Sequence, residues 1–129
     1  MEPQQFETGT LVKGRYKTGV YIGEITGAKR GNYVVKVLAV VTHPTQGDLH
    51  HPNEANVAFF QERKALAYCE QANMAPHTLT LHEGDIPEYR DSLKAALTEL
   101  KNKLASHPNE AFAERSLEAL QSLEQTYRI

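Results

Sequence analysis

Near residue 84 the spacing of apolar residues changes from that of strands to that of helices, and a fold for this chain has to accommodate both. In "IPEYRDSLKAALTELKNKLASH", Tyr89, Leu93, Ala96, Leu97, Leu100 and Leu104 recur at intervals of three and four, which predicts one stripe of a helix. Pro87 suits the first turn, Glu88 and Asp91 lie near the positive end of the helix dipole, and Lys101, Lys103 and His107 lie near the negative end. "HPNE" then breaks the pattern, and "AFAERSLEALQSLEQTYR" resumes it with Phe112, Leu117, Leu120, Leu123 and Tyr127 inward. A connection this short implies an antiparallel hairpin. Two amphipathic helices cannot bury both stripes on each other alone. They are expected to pack on the rest of the chain, on a second copy in a homodimer, or on a partner protein.

The first 83 residues read as a small all-β unit. "TLVKGRY" and "TGVYIGEIT" are strand candidates, and "GAKRGN" supplies a tight connection. "NYVVKVLAVV" is longer and apolar on both faces near its end, hence central. "ANVAFFQERKALAYCEQANM" reads as further strand material. A helix competes over "QERKALAYCEQ", but short neighbouring strands need partners along their edges, which favours strand. "ANMAPHTLTLHEG" suggests a last short strand and a single helical turn. The expected fold is mainly β plus α: a small SH3-like antiparallel β-barrel over residues 1–83, then an antiparallel two-helix hairpin over residues 84–129.

Composition narrows the function classes. Fourteen basic against sixteen acidic residues give a net charge of −2, which argues against a polyelectrolyte binder of nucleic acid or anionic membrane. The single cysteine, Cys69, precludes an internal disulfide and suits a reducing compartment. "MEPQQFETGTLVKG" lacks the basic and apolar regions of a signal peptide, no window approaches 18 apolar residues, and Cys69 is too far along to carry an amino-terminal lipid anchor. A cytoplasmic protein without direct membrane insertion is expected.

Two clusters carry candidate chemistry. "THPTQGDLHHPN", residues 42–53, holds His43, Asp48, His50 and His51, which have the nitrogen and oxygen donors that zinc takes. Their spacing matches no established ligand pattern, and adjacent His50 and His51 diverge from most backbones. A solvent-exposed loop stiffened by Pro44 and Pro52 is the plainer reading, and a partner-binding loop is the other. The second cluster is basic: Lys13, Arg15 and Lys17, then Lys29 and Arg30, with Tyr16 interleaved. Six basic and three acidic groups in residues 1–40 would suit a barrel face for nucleic acid, or simply a solvated surface. Catalytic signals are poor. Cys69 reads as a small hydrophobe, Glu62 and Arg63 as a structural ion pair, and Gly19, Gly23, Gly27 and Gly31 as strand and turn residues. No phosphate loop and no triad of nucleophile, base and oxyanion donors is legible.

Four stretches together, "YKTGVYIGEI", "YVVKVLAVVTHPTQGDLH", "ANVAFFQERKALAYCEQANM" and "FAERSLEALQ", resemble the kinase-associated lipoprotein B (KapB) family of spore-forming bacilli. The likeness extends from about Phe6 to Tyr127. It implies a small antiparallel β domain with a helical extension. It also implies a role beside a membrane sensor histidine kinase that feeds a sporulation phosphorelay, supporting that kinase's activity or production. It supplies no catalytic residues and no cofactor.

The expectation is therefore a non-enzymatic accessory protein of two-component signalling, working by protein–protein contact and reaching the membrane only through its kinase. The contact candidates are the loop from Thr42 to Asn53, with His43, Asp48, His50 and His51, and the aromatic pair Phe59 and Phe60, whose plainer reading is buried core. The alternative is an SH3-like nucleic-acid-binding module using Lys13, Arg15, Lys17, Lys29 and Arg30. A metal-dependent enzyme built on the three histidines and Asp48 is a third.

Overall fold

Two tight turns set the sheet. Strand β1 (Leu11–Tyr16) passes through Lys17–Thr18 into β2 (Gly19–Lys29), and β2 passes through Arg30–Gly31 into β3 (Asn32–Thr42). Arg30 and Gly31 have φ of 52° and 81°, the pair of left-handed residues whose twist matches that of the strands they join. In this computed structural model, which describes residues 5–57 and 60–129, β4 (Gln71–Met74) and β5 (Thr80–Leu81) complete an antiparallel sheet of order β4-β3-β2-β1-β5. A single 3-10 turn, Pro76–Thr78, joins the last two strands.

The long β2–β3 ladder bends because it carries three register shifts, which leave Thr26, Leu38 and Val41 as extra residues. Gly23 lies beside one of them: a Cβ there would meet the Lys36 carbonyl oxygen and Val35 Cγ1 at 2.5 Å. The sheet curls around Val12, Tyr21, Ile25, Val35, Val37 and Met74, all nearly inaccessible.

Helices α1 (Tyr89–Ala105) and α2 (Glu110–Tyr127) cover this surface. Leu93, Leu97, Leu104, Phe112, Leu120 and Leu123 join the strand residues in one continuous apolar cluster. The helices run antiparallel, since Lys101 pairs with Glu124, and Arg90 at the start of α1 donates to the Arg128 carbonyl at the end of α2. The chain is thus a five-stranded antiparallel sheet followed by two helices, as the sequence pattern predicts.

Several details depart from that pattern. Pro87 precedes α1, whose N-cap is Glu88. Leu117 points outward and is 37% exposed; Ala113, Ser116 and Ala119 are buried instead. Residues 60–70 form neither strand nor helix, so only Gln71–Met74 of the expected strand material pairs. Because β4 matches only Tyr33–Lys36, the remaining edge of β3 is covered otherwise. Cys69 N donates to the Val37 carbonyl at 2.7 Å, Val37 N to the Glu70 carbonyl at 2.9 Å, and Val40 N to the Ser92 hydroxyl of α1 at 2.9 Å. An edge that would template another strand is closed by a helix.

Candidate interaction site

The unpaired segment after Phe60 owes its place to side chains. Gln46, 3% exposed, accepts from Arg63 N at 2.8 Å and donates to the Arg63 carbonyl at 2.8 Å, as a neighbouring strand would. Ala65 N donates to the Tyr127 hydroxyl at 2.9 Å, Leu66 N donates to the Tyr21 hydroxyl at 3.2 Å, and the Tyr89 hydroxyl donates to the Leu66 carbonyl at 2.5 Å. Residues from a loop, β2, α1 and α2 therefore converge on Arg63, Ala65 and Leu66, satisfying backbone groups that burial would otherwise strand. Burial raises all three phenols, that of Tyr21 to about 12, so they remain neutral hydrogen-bonding groups at physiological pH.

The segment leads into a turn at Tyr68–Cys69, where Cys69 adopts φ of 68°. Anchored to Val37 on one side, this turn holds Tyr68 beside Tyr89, with ring centroids 5.9 Å apart. Tyr68 is nevertheless 59% exposed. It forms one wall of a groove of about 650 Å³ lined by Leu38, Ile86, Pro87 and Tyr89, with Glu88 and Arg90 at its margin. Leu38 is one of the bulged residues of β3, and such an extra residue re-aims a side chain out of the ladder. Pro87, which precedes the helix, lines the groove with Ile86. An exposed aromatic over an apolar groove with a charged rim has the make-up of a protein-contact patch.

The residues singled out in the sequence lie elsewhere. His43 is 1% exposed, not part of a solvated loop; Nδ1 contacts the Pro44 carbonyl at 3.0 Å and Nε2 the Tyr127 hydroxyl at 2.9 Å. Burial lowers its pKa below the ordinary 6.5, with the Pro44 contact opposing. Asp48 spends its carboxylate on a turn, accepting from His50 N at 2.9 Å. His50 is exposed, and His51 pairs with Glu54 at 3.7 Å. Among the described residues no group of three His, Cys, Asp or Glu side chains is placed to hold a metal ion.

Phe59 lies outside the described residues. Phe60 packs edge-on against Phe112 at 6.0 Å and beneath the Arg115 guanidinium at 4.6 Å. Arg115 also donates to the Ala55 carbonyl, and the Asn109 amide donates to that of Asn53, strapping this loop onto α2. The basic residues divide between two places. Lys13 lies opposite Ile22 and Arg15 opposite Val20, near the start of β2, with Lys17 in the turn before it, whereas Lys29 and Arg30 are at its other end. Arg63 donates to the Gly47 carbonyl and makes no ion pair with Glu62. Cys69 is exposed at its turn, not a buried hydrophobe.

The groove escaped the sequence reading, because its walls come from a bulge, a turn and a helix approach that no local pattern marks. Tyr68, a large aromatic in an otherwise charged stretch, was its one available signal.

The arrangement has close counterparts. Among known proteins, kinase-associated lipoprotein B of Bacillus subtilis (strain 168) is 54% identical over 122 residues, spanning 95% of this chain and 94% of that protein. The crystal structure of kinase-associated protein B from Bacillus cereus matches with a TM-score of 0.80 at 45% identity, over 97% of this chain and 100% of that one. The family model described as Kinase associated protein B covers residues 16–128, so it takes in strands β2 to β5, the clamped segment, the groove and both helices. With that extent of agreement, the chain belongs to the KapB family of kinase-associated proteins.

Proposed function

We propose that this protein is a non-enzymatic accessory of a sporulation histidine-kinase phosphorelay, and that it docks on a membrane sensor kinase through the Tyr68 groove. The names of its relatives support a kinase-associated role. The observation that carries the choice of surface is Tyr68, a large aromatic left more than half exposed beside Tyr89 and above an apolar floor. Aromatic anchors of this kind dominate the binding energy of protein interfaces. The sheet serves as a rigid scaffold, and its topology supports the SH3-like reading: β5 returns after a 3-10 turn to pair with β1. Among the described residues no helix is long and apolar enough to cross a membrane.

The test is affinity for the detergent-solubilised sporulation sensor kinase of the same cell, measured with the native protein and with Tyr68→Ala. Loss of an anchor costs about 2 kcal/mol or more, a roughly thirtyfold weaker complex. Folding stability should stay within about 0.5 kcal/mol, because the side chain faces solvent. Unchanged affinity in the variant would remove the groove; no binding by the native protein would remove the kinase contact.

A further inference from the structure

His43 carries an arrangement that the docking surface does not use. A carbonyl oxygen only accepts, so the 3.0 Å contact with Pro44 assigns the hydrogen to Nδ1 of the ring. In the neutral ring Nε2 is then an acceptor, and its partner at 2.9 Å, the Tyr127 hydroxyl, is the donor. The same phenol oxygen accepts from Ala65 N. One continuous chain of bonds results, from the Ala65 amide through Tyr127 and His43 to Pro44, whose carbonyl also accepts from Gln46 at 3.0 Å. Every member has its partners in only one protonation state.

We propose that His43 is a proton-operated latch, which when neutral holds the last turn of α2 and the segment Arg63–Leu66 against the sheet and when protonated lets them go. A proton on Nε2 turns the acceptor into a donor. Tyr127 then loses the group that receives its O–H, while its oxygen is asked to accept from both the imidazolium and Ala65. Glu62 is near enough to act on Tyr127, but it does not pair with the His43 ring. The titratable groups facing this region are Tyr127 from α2, Tyr21 from β2 and Tyr89 from α1; Lys17, Glu62, Arg63 and Lys64 line the cleft beside Pro44. Among the described residues none forms an ion pair with His43. A buried imidazolium costs several kcal/mol in principle, which the structure relieves by opening and admitting water.

The contact of Arg90 with the Arg128 carbonyl and the aromatic packing of His43 on Tyr127, centroids 6.0 Å apart, belong to the unit that loosens. The latch operates in the free protein, whatever docks in the groove.

Amide hydrogen exchange of the full chain between pH 7.5 and 5, corrected for intrinsic rates, provides the test. Opening at Ala65 and over the last turn of α2 should rise as pH falls, by up to about tenfold per pH unit once His43 charges, with β2 and β3 unaffected. In Tyr127→Phe, which removes the link and keeps the ring, both regions should exchange fast and equally at either pH. Nitrogen-resolved NMR of the native imidazole should show the hydrogen on Nδ1 at neutral pH. The latch is overturned by pH-independent protection at Ala65, by uniform loosening of the whole chain, by a pH effect that survives in Tyr127→Phe, or by the hydrogen residing on Nε2.

Discussion

A single carboxamide, that of Gln46, substitutes for a strand. It pairs with both backbone groups of Arg63, which are part-buried, and with the buried Pro44 carbonyl. Gln46→Ala leaves both Arg63 groups without that partner, the Pro44 carbonyl keeping His43, and each unsatisfied buried group costs about 1–3 kcal/mol. The expected result is a loss of roughly 2–4 kcal/mol and a melting point several degrees lower, measured by calorimetry. His43 adds a pH dependence of its own. Folding lowers its proton affinity, so its contribution is complete above the ordinary value of 6.5 and is lost as pH falls below it. The denaturant midpoint should decline over that window in the native protein. Neither role was legible in "THPTQGDLHHPN". The partners are main-chain atoms 17 residues on and a phenol 84 residues away, and main-chain atoms leave no mark in composition. The sequence invited a reading of the three histidines as a group; burial separates the first from the other two.

The elements were more legible than their ends and their edges. Helical periodicity located α1 and α2 because a stripe repeated over four turns is hard to produce by chance. It misplaced Leu117 because the buried face of α2 is built partly from Ala113, Ser116 and Ala119, small residues that permit close approach but do not register as apolar landmarks. Among the described residues Leu117 is the large apolar side chain of the two helices left exposed. The strand expected over 61–71 failed for a different reason: the edge it was meant to cover is closed by Ser92, so the segment bonds to side chains instead. The start of α2 depends on Asn109, whose side chain accepts from Phe112 N at 3.0 Å. Asn109→Ala should lower stability by about 1 kcal/mol in chemical denaturation, while Asn109→Asp should retain most of it.

For the molecule as a whole, sheet and helices share one core. Leu93, Leu97, Phe112 and Leu120 contribute to the same cluster as Val12, Ile25 and Val37. A division at residue 83 therefore separates sequence patterns that need each other. A chain ending at residue 85 would expose that surface along with the Val40 edge, and the expected outcome is a species without a cooperative melting transition and prone to associate, observed by calorimetry and light scattering.

The clamped segment bears on how this family can change over time. Arg63, Ala65 and Leu66 are gripped by their main-chain atoms, which every residue except proline supplies in full. The position of this segment therefore depends on Gln46, Tyr21, Tyr89 and Tyr127, not on the side chain of a neighbour such as exposed Lys64. Outward side chains beside the groove can be replaced, and what it meets altered, without touching the grip that holds the wall in place.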